Sequence, residues 1–557
     1  MLDLILLAGL LLSACQPTPT PTPTTPPAAE PTPTISPTPS PDDVIYLSII
    51  WHQHQPVYYK DPETGVYAKP WVRVHAAKDY YDMAAILQDY PDVHVTFNLT
   101  PSLIRQLDDF AAGATDMYWE MTMVPADQLT DDQKWFILRY FFDINPKIVT
   151  RFPRYVELQA MRPGASDADI QAAMNTWSAQ DYRDLQVLFN LGWTDPDFLA
   201  QEPLASLVAK ERDYTEEDKA VVLSEHLRIL KEVVPLHRQL QEAGQIEVTM
   251  TPFAHPILPL LMDTSLAQEA VAGLELPASR FRFGQDAVAQ VELGVEYYRD
   301  HFGADPRGMW PAEGSVAQEI VNIVARAGLQ WMASDEMVLA PSLGMSGFTR
   351  NADDTVQEAD ALYRPYYVQG ADSIPVAILF RDHTLSDKVG FAYSGLPGAV
   401  AASDFVRRVH SIHDRLQEEG AEGPHLVTVI LDGENCWEYY DNDGKEFLHS
   451  LYQMLSDDPT IVAVTPSEYL AMFPEQPAIE DLWAGSWIDG TYSTWIGEEE
   501  ENRAWEYLYQ VRDLLAKYEQ GVRQTDPESL VAAQEMMYIA EGSDWFWWYG
   551  ADQDSGQ

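Results

Sequence analysis

From position 44 onward short apolar runs alternate with stretches in which apolar residues recur every three or four positions. The runs at 44–50, 93–99, 246–250, 307–310, 329–333, 374–380 and 426–431 are rich in β-branched and aromatic residues, and they predict seven strands. The intervening stretches have helical period. In residues 315–327, Ser315 and Gln318 are placed as a capping box and Gly328 as a stop. Such alternation predicts an α/β protein, a parallel sheet covered by helices. Almost every predicted strand is followed by side chains able to do chemistry: Trp51 and His52, Asn98, His255, Glu313, Asp335, Arg381 with Asp382, and Asp432. In barrels of parallel strands that rim is where chemistry is assembled, so the pattern favours a closed barrel over an open sheet.

The rest of the chain falls around this unit. Residues 101–245 separate the second and third predicted strands and carry helical patterns at 131–142 and 216–243, which predicts a helical insertion flanking the site. Helical patterns at 445–455, 501–518 and 527–540 predict a C-terminal helical region, assigned to 476–557, after a catalytic barrel spanning 43–475. Residues 16–42 are dominated by Pro and Thr, a composition that cannot bury a core and reads as an extended tether. Before it, the apolar run 2–12 is too short to span a membrane and leads into Leu12-Ser13-Ala14-Cys15, a lipoprotein-type signal with Cys15 as the lipidated residue. The usual basic start is missing and the third residue is Asp3, so a plain secretory signal is the alternative. Either way an exported protein is expected, touching a membrane only through the N-terminal lipid.

Charge narrows the choice of partner. Eighty-six acidic residues against thirty-five basic ones give a net charge of −51, which repels nucleic acid and anionic lipid and favours a neutral substrate. Sixteen Trp and twenty-eight Tyr suit the C–H faces of sugars, although large cores also collect aromatics. Cys15 and Cys436 are the only cysteines, so neither a disulfide framework nor a cysteine zinc site is expected.

Three segments carry candidate chemistry. In Trp51-His52-Gln53-His54-Gln55-Pro56 the two histidines could bond sugar hydroxyls, ligate a metal, or be structural; no acidic ligand or H-x-x-x-H pattern accompanies them. In Trp310-Pro311-Ala312-Glu313-Gly314-Ser315 the carboxylate lies between a strand and a helix, close to backbone dipoles that help keep it ionised, fit either to attack an anomeric carbon or merely to cap the helix. In Leu431-Asp432-Gly433-Glu434-Asn435-Cys436-Trp437-Glu438-Tyr439, Asp432 would emerge at the barrel mouth, where burial and a neighbouring carboxylate can raise its pKa, with Trp437 and Tyr439 as walls; a calcium loop or a simple Asp-Gly turn fits the same spacing.

Taken in order, these segments resemble the motifs of glycoside hydrolase family 57, the α-amylase and amylopullulanase family. The resemblance rests on His54-Gln55-Pro56, Gly244-Gln245-Ile246-Glu247 leading to His255, Trp310 to Gly314, and Leu431 to Asn435 with Trp437. It extends to Phe380-Arg381-Asp382-His383, Gly485-Ser486-Trp487, Trp495-Ile496-Gly497 and Ser543-Asp544-Trp545. It implies a (β/α)7 barrel followed by a helical region, and a retaining mechanism on α-glucosidic bonds with Glu313 as nucleophile and Asp432 as general acid/base. It further implies His52, His54, His255 and Trp310 as sugar-binding residues, with Asp335 and Arg381 at other strand ends. Trp487, Trp495, Asp544, Trp545 and Trp548 would extend the glucan groove or pack the helical region onto the barrel. No cofactor or catalytic metal is expected, with a structural calcium left open; the partner is an α-glucan, and the oligomeric state is not specified. Rival expectations are α-glucan transfer by the same carboxylates, a metal-dependent deacetylase, for which the acidic pair after the first strand is lacking, and a non-catalytic glucan-binding lipoprotein.

Overall fold

A computed structural model describes residues 44–434 and 436–551. The signal at 1–15 with Cys15, the tether at 16–42 and Asn435 lie outside the described residues. All seven expected strands form: β1 (Ile45–Gln53), β2 (Val95–Leu99), β3 (Ile246–Thr249), β4 (Gly308–Met309), β5 (Trp331–Asp335), β6 (Pro375–Arg381) and β7 (Leu426–Asp432). Parallel ladders join β1 to β2 and β7, β2 to β3, β4 to β5, and β5 to β6. Two lighter seams close the ring. Met250 bridges Met309 in parallel, and the Trp310 N–H donates to the Met250 carbonyl at 2.9 Å. On the other side the Asp382 N–H donates to the Thr428 carbonyl at 2.9 Å, and the Arg381 guanidinium to the Ile430 carbonyl at 3.2 Å. The result is the (β/α)7 barrel. β1, β2 and β3 are buried along their whole length, which is why their sequences read as continuous apolar runs rather than as alternations.

Three further short strands lie outside the ring. Tyr366–Gln369 runs antiparallel to β6, Ala478–Ile479 pairs with it, and Ile461–Ala463 pairs with the first half of β1. Between β2 and β3 the chain is helical, from Pro101–Ala111 to the long helix Glu216–Glu242, and has a core of its own around Ile137, Phe141, Tyr155, Leu185 and Phe189. Beyond the barrel come Glu499–Glu519, Pro527–Ala540 and Ser543–Phe546. Among the described residues no helix is long and apolar enough to cross a membrane.

One local expectation fails. The capping box at Ser315 and Gln318 does not form: the helix proper is Val321–Arg326, after a tight turn at Gln318–Ile320. Val316 is instead drawn into an antiparallel bridge with Gly485, each N–H donating to the other carbonyl at 2.8 and 3.0 Å, so residues 315–317 are extended. Gln318 turns to the Gln369 carbonyl and the Leu482 N–H. Gly328 does follow the helix, with φ of +86°.

Candidate active site

Register brings the rim residues to one level. His52 on β1 pairs with Asn98 on β2 and with Asp432 on β7, while Asp335 on β5 pairs with Arg381 on β6. Glu313 reaches the same place from a turn after β4, in the left-handed region with φ of +57°, a conformation that costs a non-glycine residue energy and concentrates at functional sites. The Ser334 hydroxyl on β5 pins that turn through the Gly314 carbonyl at 2.6 Å. A Cβ on Gly314 would lie 2.9 Å from the Trp310 ring, so only glycine lets the turn close.

Trp487 holds the carboxylate. Its backbone N–H donates to the Glu313 carbonyl at 3.0 Å and its indole N–H to Glu313 Oε2 at 2.8 Å. Burial pushes the Glu313 pKa up to about 7, opposed by the Trp487 hydrogen bond and reinforced by the negative charges of Asp432 and Asp544. The expectation that backbone dipoles keep Glu313 ionised is therefore corrected: burial outweighs them. The helix-capping role is also excluded by these partners. Asp432 is raised as well, by burial, with His54 and Arg381 pulling it down. Asp432, distant in the chain, is thus near enough to raise the cost of ionising Glu313, and both carboxyls are half-buried at one site.

Three imidazoles line this site. The His52 Nδ1 faces Asn98 Oδ1 at 2.6 Å; burial, then the His54 charge, lowers its pKa to about 3, so the ring is neutral. His255, also at φ of +57°, bonds the Ser543 hydroxyl through Nδ1 at 2.9 Å; it too is held neutral by burial, and its buried Nε2 has no protein partner. A bare ring nitrogen at a polar site is an acceptor for a ligand hydroxyl. His54 is the exception. Burial would lower its pKa, but the Asp544 carboxylate 2.7 Å from Nε2, with Glu313 and Asp432 beyond it, raises the value and favours a cation. The ring nitrogens of the three histidines lie within 4.8 Å of one another, a set that could be thought to hold a metal. Their planes, however, are nearly parallel, His54 stacked on His255 with centroids 3.9 Å apart and planes 17° apart, so the in-plane lone pairs of that pair run side by side rather than converging. Among the described residues a second cluster, Asp82, Asp195 and Asp197, closes around the Lys445 ammonium.

The remaining expected residues divide. Asp335 and Arg381 pair at 2.5 Å, and the Arg381 guanidinium lies 4.7 Å from the Trp487 ring centre, so they buttress the tryptophan that grips Glu313. His383 completes that network, its pKa pushed up to about 10 by hydrogen bonds to Asp335 and Asp387. Trp487 stands at Glu313, not farther along a groove. Trp437 is corrected: it is 1% exposed, donates to the Gly433 carbonyl at 2.9 Å and packs on Trp51, so it supports the Asp432 loop from inside instead of walling a sugar. Trp310, at 0% exposure, likewise lies behind the surface between His52 and Trp487. Trp495 is buried and packs against Trp547. Trp545 is half-buried, its N–H on the Ile539 carbonyl, and Trp548 is exposed. Two contributors were not singled out from sequence. Glu434, inside the quoted motif, accepts the His54 N–H at 3.2 Å, and Ser543, next to Asp544, fixes the His255 ring.

The rim of this closed barrel of parallel strands thus carries two half-buried carboxyls, Glu313 and Asp432, beside the neutral imidazoles of His52 and His255. The family model for glycosyl hydrolase family 57 matches residues 48–480, and the chain belongs to that family. Among curated proteins it is similar to a 1,4-α-glucan branching enzyme of Thermococcus kodakarensis, 23% identical over 376 residues, 55% of this chain and 50% of that one. The matched stretch thus spans about half the length of that relative. Among solved structures, a family 57 branching enzyme from Pyrococcus horikoshii shares the fold with a TM-score of 0.56 at 16% identity, covering 91% of this chain and 85% of the other. The α-amylase AmyC of Thermotoga maritima does so with a TM-score of 0.54 at 16% identity, covering 91% and 89%.

Proposed function

We propose that this protein is a retaining glycoside hydrolase that cleaves α-glucosidic bonds in starch-like or pullulan-like glucans. The observation that carries the reading is the convergence of Glu313 and Asp432 on one half-buried site, where the Asp432 charge acts on Glu313, beside neutral imidazoles. In a retaining glycosidase two carboxyls about 5–5.5 Å apart flank the bond to be cut. Ionised Glu313 attacks the anomeric carbon while Asp432 gives its proton to the departing oxygen, leaving a glycosyl ester on Glu313. Water then adds to the same carbon, Asp432 takes its proton, and the Glu313 carboxylate is freed. Neutral His52 and His255 would bond the hydroxyls of the reacting sugar, and the His54–Asp544 pair would hold charge balance beneath it.

Reducing-sugar release from starch and pullulan, with and without chelator, tests this. Release that survives chelator is expected, and Glu313→Gln should lower turnover by several orders of magnitude while glucan still binds, because only the transition state loses its covalent partner. Near-wild-type hydrolysis by that variant would remove the assignment. Transfer of α-glucan segments is the second reading, favoured by the branching-enzyme names of the curated relative and of one solved structure. The two readings differ in whether water or a sugar hydroxyl takes the glycosyl group, which product analysis on amylose, pullulan and panose distinguishes. We propose in addition that the chain is exported and held at a membrane surface by lipid on Cys15, with residues 16–42 as the tether and residues 476–557 as a helical region completing the site.

A further inference from the structure

The loop that leaves β7 at Asp432 runs to residue 445, and the helical segment between β2 and β3 grips it repeatedly. The Asn145 N–H donates to a Glu438 carboxylate oxygen at 3.3 Å, and the Lys147 ammonium donates to the Tyr439 carbonyl at 2.8 Å. The firmest grip has two prongs. The Arg151 guanidinium donates to both oxygens of Asp443, at 2.6 and 2.9 Å, and the buried Lys78 ammonium stands 3.5 Å from the same carboxylate. Burial alone would raise the Asp443 pKa, but Lys78 and Arg151 hold it below the usual carboxylate range, so the pair is ionic. Two residues on, Lys445 is held by Asp195 and Asp197 of the same helical segment, at 3.0 and 2.7 Å.

What these contacts hold is strained backbone. Asn442, Asp443 and Gly444 lie in succession in the left-handed region, with φ of +51°, +54° and +76°, and only the third has the freedom of glycine. Such a run persists where the surroundings over-determine it. It brings Gly444 against the Trp437 indole, for a Cβ there would lie 2.5 Å from the ring. The Trp437 N–H in turn donates to the Gly433 carbonyl at 2.9 Å, and the Gly433 N–H to the His52 carbonyl at 2.7 Å, which fixes the residue that follows Asp432 from both sides. From Arg151 to Asp432 the line of contact is unbroken: ion pair, left-handed turn, indole, peptide.

We infer that Arg151 is a positioning residue for Asp432, acting through Asp443 and the turn at 442–444, an inference that rests on the glycosidase reading above. A general acid must lie within hydrogen-bond reach of the oxygen it protonates, and a misplacement of about 1 Å can cost about a hundredfold in rate. The helical segment between β2 and β3 therefore does more than flank the site, since it fixes the acid. Glu313 is held separately, by Trp487 and by Ser334 on β5. Loosening the clamp thus disturbs delivery of the proton and leaves attack by Glu313 in place.

The test separates proton delivery from attack. Cleavage of maltoheptaose needs a proton on the departing sugar oxygen, whereas α-maltosyl fluoride loses fluoride, a weak base that departs without one. For both, kcat/KM followed as loss of the donor reports bond breaking, whether water or a sugar hydroxyl takes the glycosyl group afterwards. Arg151→Met should lower it by about ten- to hundredfold for maltoheptaose and by less than about threefold for the fluoride. Arg151→Lys, which keeps the cation and gives up the two-pronged geometry, should show the same split at smaller size. Equal losses on the two substrates would make Arg151 merely structural, and no loss on either would uncouple it from the acid; both overturn the inference. Wild-type protein that consumes neither substrate would remove the glycosidase reading and this inference with it.

Discussion

Glu313 owes its proposed role to a conflict between burial and function. Burial pushes its pKa up to about 7, and the influences that oppose the rise are the Trp487 N–H and His54. Attack requires the ionised form, so the acid limb of kcat/KM, which reports the free enzyme, should follow this group and rise toward pH 7. Both Trp487→Phe and His54→Gln remove an influence that lowers the Glu313 pKa, and each should move that limb to higher pH. A pH profile of both variants checks this; a limb that stays in place would separate it from Glu313. At this scale the two carboxyls that meet at the rim were legible as candidates in the sequence, because Glu313 and Asp432 sit in motifs that end apolar runs. The partners were not. Trp487, which grips Glu313, and Asp544, which charges His54, lie far along the chain, and no spacing rule connects them. Trp437 was misplaced for a related reason: an aromatic beside a reactive acid reads the same whether its ring faces a sugar or fills the core beneath the loop.

Among the elements, β4 is the least conspicuous and the most constrained. It is two residues long, yet it joins β3 to β5 in the ring. Gly308 in it leaves the space that the Trp331 ring fills, for a Cβ there would lie 1.9 Å from the indole, which in turn donates to the buried Glu247 carboxyl at 2.9 Å. Gly308→Ala should therefore destabilise the fold by about 1–3 kcal/mol through overpacking, read as a lower denaturant midpoint. Stability equal to wild type would mean that Trp331 has another place to go. Strands were the most legible level, since residues buried on both faces leave uninterrupted apolar runs and helices between them keep their period. What failed was local. The box at Ser315 obeyed capping rules, but the backbone of Gly485, far along the chain, claimed Val316 first.

Taken whole, the molecule is strongly acidic, with a net charge of −51, and its proposed substrate is neutral. Added salt screens charge within about 8–10 Å, so KM for a neutral glucan should stay within about twofold between low and physiological ionic strength. A steep salt dependence in an initial-rate series would point to a charged substrate. The overall class and the seven strands followed from pattern alone. That residues from β4, β7 and the segments around 487 and 544 would crowd one carboxylate followed only from closure of the barrel. The proposed reaction makes that convergence chemical, because a sugar must be bonded to Glu313 part-way through each turnover. Incubation with a 5-fluoroglycosyl fluoride of the α-gluco series, followed by proteolysis and mass spectrometry, looks for that ester. One glycosyl adduct on the peptide containing Glu313, absent in Glu313→Gln, is the expected result. Steady turnover of glucan with an adduct on another residue would contradict it.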